Sequence, residues 1–440
     1  MHWLNPTSDT HYRTPDDTKV DTLRRNTFEY FVKHANPRNG LIADKSSPGS
    51  HSSIAATGLG LAAYAVAVDR GYVPRAEGIT RTVNTLRFFW ESPQGTGPLA
   101  TGYKGFFYHF LDMETGRRAW ECELSTIDTT ILLAGALTSA AYFAGDTVGE
   151  HEIRDLADAL YRRADWQWAL NGGLAVTHGW RPESAFLKAR WVGYNEALLL
   201  YALALGSPTR PIPAESYPEW TRTYRWKRLY GIDYLYAGPL FIHQMAHIWI
   251  DFRGIRDAYM QVRGIDYFEN SRRATYVQQL YAIRNPRGFR GYHENCWGIT
   301  ASSGPGPTAR VVDGVRRRFY GYRARGVPFG PDDGTLAPWA VVASLPFAPE
   351  IVLPAIQYFD KTYPQLTSEF GLKCSFNPTF PTEDGNGYIS DGYYGLDQGP
   401  VVLMIENHET GLIWRLMRGC PYIVTGLRRA GFTGGWLDSA

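Results

Sequence analysis

The chain has 440 residues, 44% of them hydrophobic, and sets 45 Lys and Arg against 43 Asp and Glu. That length allows one large domain or two or three average ones, and the balanced charge gives no support to a nucleic-acid partner. No stretch approaches the ~18 consecutive apolar residues of a membrane span, so membrane insertion is not expected.

Helical periodicity runs from end to end. Apolar residues at three- and four-residue spacing predict helices over Val20 to His34 and Ile54 to Val68. Pro74, tolerated at a first turn, opens Arg75 to Glu91. Thr126 to Phe143, Glu150 to Trp168 and Asn195 to Leu205 follow, then a weaker segment around Pro218 to Lys227 and another over Pro239 to Ile250. Asp266 to Asn285 stops at Pro286, and Pro338 to Leu345, Pro349 to Tyr363 and Pro400 to Arg418 complete a set of about twelve. Strand patterns are few. Gly173 to His178 and Ala185 to Trp191 read as a hairpin, and Arg310 to Tyr320 as a second one turning at Asp313-Gly314.

Twelve paired helices suggest an α-solenoid or a closed double ring. A solenoid requires repeats of fixed length, and the connections here vary from a few residues to about forty. The expectation is an all-α fold, an (α/α)6 barrel with short β-hairpins in the loops lining a cleft at one end. No Ser/Pro/Gly linker divides the chain, so residues 15–420 read as one catalytic domain and 421–440 as a short C-terminal tail.

Aromatic residues make up 14% of the chain, including 14 Trp and 28 Tyr. Several stand in polar, Gly-rich segments: Trp120, Trp180 beside Arg181, Trp191, Tyr194 and Trp297. Aromatic side chains in loops are better explained by a binding cleft than by a core. Carboxylates accompany them. Glu196 stands at a helix mouth after Trp191 and Tyr194, and Asp397 precedes Pro400, read as the first turn of the last helix. Backbone N–H groups and the helix dipole there would keep Asp397 ionised, as a base requires. Apolar crowding would raise Glu196 toward a usable acid, while the dipole pulls the other way. Asp128 opens the Thr126 helix, with Glu123 nearby, and Asp332 and Asp333 precede a glycine. Each also has a structural reading, as a helix cap or a turn residue. Two carboxyls in differing environments are what glycosidic cleavage needs: one donates a proton to the leaving oxygen, and the other activates water or attacks carbon.

Metal readings are weaker. His243 and His247 share a helical face but lack a third ligand, and His293-x-x-Cys296 lacks a second pair. Glu294 and Glu406 are secondary acid candidates, Glu406 reading as an exposed or salt-bridged mid-helix residue. Four scattered cysteines without a Cys-x-x-Cys argue against a disulfide scaffold. The polar start, Met1 to Thr10, lacks the order of a secretory leader. That fits the cytoplasm as the sequence stands, or the periplasm if a leader has been removed.

Three separated motifs carry a resemblance. Gly-Tyr-Asn-Glu (193–196) with Leu-Gly-Ser-Pro-Thr-Arg-Pro-Ile-Pro (205–213), Gly-Tyr-His-Glu-Asn-Cys-Trp-Gly-Ile-Thr-Ala-Ser (291–302) and Leu-Asp-Gln-Gly-Pro-Val-Val-Leu-Met-Ile-Glu-Asn (396–407) together resemble the bacterial glucoamylase-like domain. That domain includes glycoside hydrolase family 144 and related endo-β-1,2-glucanases, and is similar to the cyclising domain of cyclic β-1,2-glucan synthases. The likeness runs from about Thr22 to Arg418. It implies an (α/α)6 barrel and endo cleavage of linear or cyclic β-1,2-glucan, rather than starch, without a metal or organic cofactor. It places the important acids on Glu196, Asp397 and Asp128. The residue types in the loops, independently of the resemblance, make Glu123, Trp120, Trp180, Arg181, Trp191, Tyr194, His293, Glu294, Trp297, Asp332 and Asp333 the candidate substrate-facing set. This chain has Ser125 where similar members carry a further acid, and Glu123 is the nearby substitute. The rival readings are a transglycosylase or cyclase working through a glucosyl-enzyme, and a non-catalytic β-glucan-binding protein.

Overall fold

The computed structural model describes residues 15–440, so the N-terminal stretch inspected for a leader lies outside the described residues. In chain order its helices are α1 (Pro15–Lys33), α2 (Ile54–Asp69), α3 (Arg75–Glu91), α4 (Thr126–Tyr142), α5 (Val148–Arg163), the single turn α6 (Trp166–Ala169), α7 (Leu198–Gly206), α8 (Ser216–Thr221), α9 (Ala258–Arg263), α10 (Tyr267–Arg284), α11 (Pro338–Val342), α12 (Pro349–Thr362), α13 (Gly395–Glu409), α14 (Leu412–Arg418) and α15 (Pro421–Arg429). The strands between them are two to five residues long.

Composition sorts the helices into two layers. α2, α4, α7, α11 and α13 are apolar on nearly every side and buried along most of their length. A helix without a polar face has to sit inside. α3, α5 and α12 are amphipathic and bury one stripe. Among the inner helices α4 touches α2 and α7, α2 touches α13, and α13 touches α11. Two 3-10 turns, Leu240–His243 and Met245–Ile248, contact one another, and the second also packs on α7 and α13. Two crossings are close enough to need glycine. A Cβ on Gly135 would lie 1.9 Å from the Gly58 carbonyl oxygen where α4 meets α2, and one on Gly426 would lie 1.8 Å from the Ala202 carbonyl oxygen where α15 meets α7.

Local chemistry explains where elements begin. Ser53 caps α2 by accepting from Ala56 N–H, Ser125 caps α4 by accepting from Asp128 N–H, and Thr147 with Glu150 forms a capping box at α5. Other boundaries differ from the sequence reading. The helix expected over 150–168 ends at Arg163, because Ala164 is extended and Asp165 caps the separate turn α6. The helix expected over 218–227 is α8 followed by a hairpin, Trp226–Leu229 with Ile232–Leu235, turning through Tyr230 and Gly231 at positive φ. The 239–250 segment is not an α-helix. Its two 3-10 turns break at Gln244, whose amide donates to Ala340 O and Ser344 Oγ at 2.6 and 2.7 Å. The last predicted helix starts at Gly395, five residues before Pro400, and breaks at Gly411 in the left-handed region before α14. Pro400 is therefore interior. Residues 421–440, expected as a short tail, carry α15 and a 3-10 turn, with Ile423, Leu427 and Leu437 buried.

The hairpin expected over 173–191 forms an edge. Gly179–Arg181 and Ala185–Phe186 extend a five-stranded antiparallel sheet in the order Gly102–Tyr103, Phe106–Tyr108, Leu124–Ser125, Gly179–Arg181, Ala185–Phe186. The second hairpin, Thr308–Val312 with Val315–Phe319, turns at Asp313-Gly314 as read from the sequence. No helix among the described residues is long and apolar enough to cross a membrane.

Candidate active site

The five-stranded sheet runs directly into α4, so Glu123, Ser125 and Asp128 are fixed by one strand-to-helix junction. Ser125 Oγ accepts from Asp128 N–H at 3.2 Å and also donates to Asp128 Oδ2. Beside this junction the loop from Asp44 to His51 reaches α13. The Asp44 carbonyl accepts from Gly395 N–H at 2.9 Å, and Lys45 bridges Tyr394. These contacts tie the loop to the opening of α13.

Four carboxyls meet there. Asp44 acts electrostatically on Asp397, Asp128 acts on Asp44 and Glu196, and the phenol of Tyr322 feels Asp397, Glu196 and Asp44 together. Tyr322 is 71% exposed, so this is a surface opening and not a sealed core. Asp397 is buried in the first turn of α13, with no hydrogen-bond partner on Oδ2. Burial lifts it from 3.8 to about 8, against a lowering hydrogen bond from the Cys374 thiol and with a further rise from Asp44. The expectation that a helix N-terminus keeps Asp397 ionised is thus corrected: desolvation outweighs the dipole. Glu196 precedes α7 by two residues, and Asn195 Oδ1 accepts from Ala197 N–H at 3.1 Å to order that start. Crowding, then the charge of Asp128, raises Glu196 from 4.5 to about 7. The competition anticipated at Glu196 is settled in favour of desolvation.

Glu123 differs from both. The hydrogen bond from His109 Nδ1, 3.0 Å from its Oε1, is the largest influence and holds it down at about 2. Arg181 lies 3.5 Å away on the neighbouring strand. Trp120 presents an exposed ring in a T-shaped arrangement with His51 at 4.2 Å. It stands on two consecutive non-glycine residues in the left-handed region, Trp120 at φ 52° and Glu121 at φ 53°. Such backbone is rare and survives where surroundings over-determine it.

The remaining sequence candidates are packed into the core or held in loops. Trp191 is buried, stacks on His178 at 3.8 Å and donates to Thr126 Oγ1 at 3.0 Å. Trp180 packs with Tyr103 and Trp168, and Tyr194 with Tyr224, Tyr267 and His243. His293 meets Tyr358 of α12 edge-on, Trp297 is fully buried, and Glu294 is exposed with its carbonyl accepting from Gln279. Asp332 accepts from Tyr281 and Tyr292 hydroxyls at 2.8 and 2.7 Å, and Asp333 pairs with buried Arg325 at 2.7 and 2.9 Å. Both therefore tie a loop to the core. Glu406 is salt-bridged, to Arg24 and Arg70. His243 and His247 are core residues, burial lowering them to about 4 and about 3. No group of three or more His, Cys, Asp or Glu able to hold a metal occurs among the described residues.

Sequence reasoning missed Asp44, His109, Tyr322 and Cys374. His109 had a signal, as a lone imidazole within the aromatic run Phe-Phe-Tyr-His-Phe-Leu (106–111). Asp44 precedes a polar Lys-Ser-Ser-Pro-Gly-Ser loop and lacks the aromatic and helix-opening flank that marks Glu196.

Comparison with known proteins adds the family. Residues 188–421, spanning Glu196 and Asp397, match the Glycoamylase family model, described as "Putative glucoamylase". An exo β-1,2-glucooligosaccharide sophorohydrolase of Parabacteroides distasonis is 28% identical over 458 residues, which cover 96% of this chain and 59% of that relative's length. A crystal structure of a glucoamylase-like protein from Bacteroides uniformis is 31% identical with a TM-score of 0.85, covering 97% of this chain and all of the other. An endo-β-1,2-glucanase from Chitinophaga pinensis, solved with sophorotriose and glucose, is 26% identical with a TM-score of 0.82 over 96% of this chain and all of its own. This chain belongs to the Glycoamylase family of glucoamylase-like proteins.

Proposed function

We propose that this protein is a glycoside hydrolase that cleaves β-1,2-glucan, linear or cyclic, in endo fashion at the carboxyl cluster beside Tyr322. The carboxyl cluster carries the reading: Glu196 and Asp397 both fall within the family match, and both have their protons held into the neutral range by desolvation. One carboxyl donating to the glycosidic oxygen and one taking a proton from water, or attacking carbon, suffices for the reaction. Asp128 acts on Glu196 through its charge. Trp120 and Arg181 are the members of the expected substrate set best placed to meet sugar, as an exposed ring and as a half-exposed cation beside the cluster.

The inner helices and the 3-10 pair support an (α/α)6 arrangement, in which the 3-10 pair stands for the sixth inner helix. The catalytic domain is then residues 15–420, with 421–440 as an appendage packed on α7. An exo reading, release of disaccharide from the chain end, is favoured by the likeness to the sophorohydrolase.

Incubation with linear and cyclic β-1,2-glucan, starch, cellulose and laminarin tests the proposal. A ladder of oligosaccharides from β-1,2-glucan, with the other polymers intact, is expected. Disaccharide as the first and sole product would replace endo with exo, and release from starch alone would overturn the substrate class. Transfer products without net hydrolysis would point to a transglycosylase.

A further inference from the structure

Asp128 and Glu123 face one imidazole from opposite sides. His109 Nδ1 lies 3.0 Å from Glu123 Oε1, and Nε2 lies 3.6 Å from Asp128 Oδ2. The ring is fixed in this position by three further contacts. His109 N–H donates to the Glu123 carbonyl at 2.9 Å, its own carbonyl accepts from Ile54 N–H at 3.2 Å, and the ring stacks on Phe110 at 3.9 Å with the planes 13° apart. A neutral imidazole has one donor and one lone pair, so it would turn that lone pair on one of the two carboxylates. With acid oxygens at both nitrogens, the arrangement is satisfied by the doubly protonated ring.

We propose that His109 is a positioning residue for the glycosidic reaction: as an imidazolium it holds the Asp128 carboxylate in place at the mouth of α4, and Glu123 influences Asp128 through this ring. The proposal rests on the hydrolase reading above and deepens it. It gives Glu123 a role at the position where this chain has Ser125. Ser125 Oγ holds Asp128 Oδ2 from the helix side and His109 approaches it from the sheet side, so the carboxylate is fixed between a cap and a cation. The charged groups facing the ring are Glu123 from the strand before α4, Asp128 from α4 itself and Asp44 from the loop before α2, while Arg181 faces Glu123. Burial works against charge on His109, but Asp128, Glu123 and Asp44 outweigh it and lift the ring to about 9. Asp128 in turn raises Glu196, so the ring's charge bears on the reacting pair without His109 touching substrate.

Two measurements test this. The first is kcat and KM on linear β-1,2-glucan for the native protein, His109→Gln, Glu123→Gln and the double variant. Misplacing Asp128 should lower kcat by about 100-fold in His109→Gln, with KM and thermal midpoint little changed, and Glu123→Gln should add nothing further in that background. Effects of the two substitutions that multiply would overturn the proposal, because Glu123 would then act independently of the ring. The second is an NMR titration of the His109 ring protons in the native protein and in Glu123→Gln. The ring should titrate above pH 8 and fall by ~1 unit or more when the Glu123 charge is removed. Titration at or below the ordinary ~6.5 would overturn the proposal even if His109→Gln fails to fold. A native protein inactive on β-1,2-glucan would sink the substrate reading while the titration still decides the role of His109.

Discussion

Replacing Asp397 by Asn should make the protein more stable at neutral pH and less stable in acid. At pH 7 the native carboxyl, pushed up to about 8, keeps its proton, whereas the unfolded chain at the ordinary 3.8 has lost it. Folding must then take up a proton, at roughly 1.36 × (7 − 3.8), or about 4 kcal/mol. Because the folded value lies above the unfolded one, native stability falls as pH rises from about 4 to about 8 and is flat outside that window. Asn removes the titration but places an amide where Oδ2 has no partner, and an unsatisfied buried donor costs ~1–3 kcal/mol. The balance is a gain of about 2 kcal/mol at pH 7 and a loss of about 1–2 kcal/mol at pH 4. At ~2.1 cal/mol/K per residue, a 440-residue chain shifts its midpoint by roughly 1 °C per kcal/mol. Thermal melts of both proteins across pH 4 to 8.5 should therefore cross near pH 5. Melting curves that differ by the same amount at every pH, or a variant less stable at pH 8, would refute the claim that burial keeps Asp397 protonated.

Three further outcomes are expected. Arg24→Met should cost about 3–5 kcal/mol by chemical denaturation, since it strips one cation from Glu406, itself fully buried. Gly426→Ala should destabilise by ~3 kcal/mol or more, because the added methyl meets the Ala202 carbonyl of α7, and a loss below ~0.5 kcal/mol would show that α15 is not tightly seated. Activity should survive prolonged EDTA treatment, as two carboxyls suffice for the chemistry, and loss restored by zinc or calcium would contradict this.

Elements whose signal is local are legible in the sequence. α2 and α4 announce themselves as long apolar runs behind Ser53 and Ser125, and Pro74 and Pro349 mark the starts of α3 and α12. Errors arose where a local signal had two readings. Pro400 fits a first turn, yet the extended Tyr394 starts the helix at Gly395 and leaves Pro400 in its second turn. Leu240 to Ile248 has the apolar content of a helix, but Gln244 bonds across to α11 and splits it. The site divides the same way. Glu196 and Asp397, the proposed reacting pair, stand out in the sequence because each sits at a helix opening with a recognisable flank. Asp44, His109 and Tyr322 were not, since pairings such as Ser52 with Leu111 and Lys45 with Tyr394 bring them in from distant parts of the chain. Aromatic residues misled in part: Trp191 and Trp297 stand in Gly-rich segments but serve the core.

The most direct test of the central claim is the turnover of linear β-1,2-glucan by the native protein, Glu196→Gln and Asp397→Asn, each checked for folding by its melt. The account predicts oligosaccharide release by the native protein and a loss of at least ~100-fold in kcat for both variants. It further predicts partial rescue, on a substrate with a good leaving group, of whichever variant lacks the proton donor. Either folded variant retaining near-native turnover would remove that carboxyl from the chemistry and contradict the account.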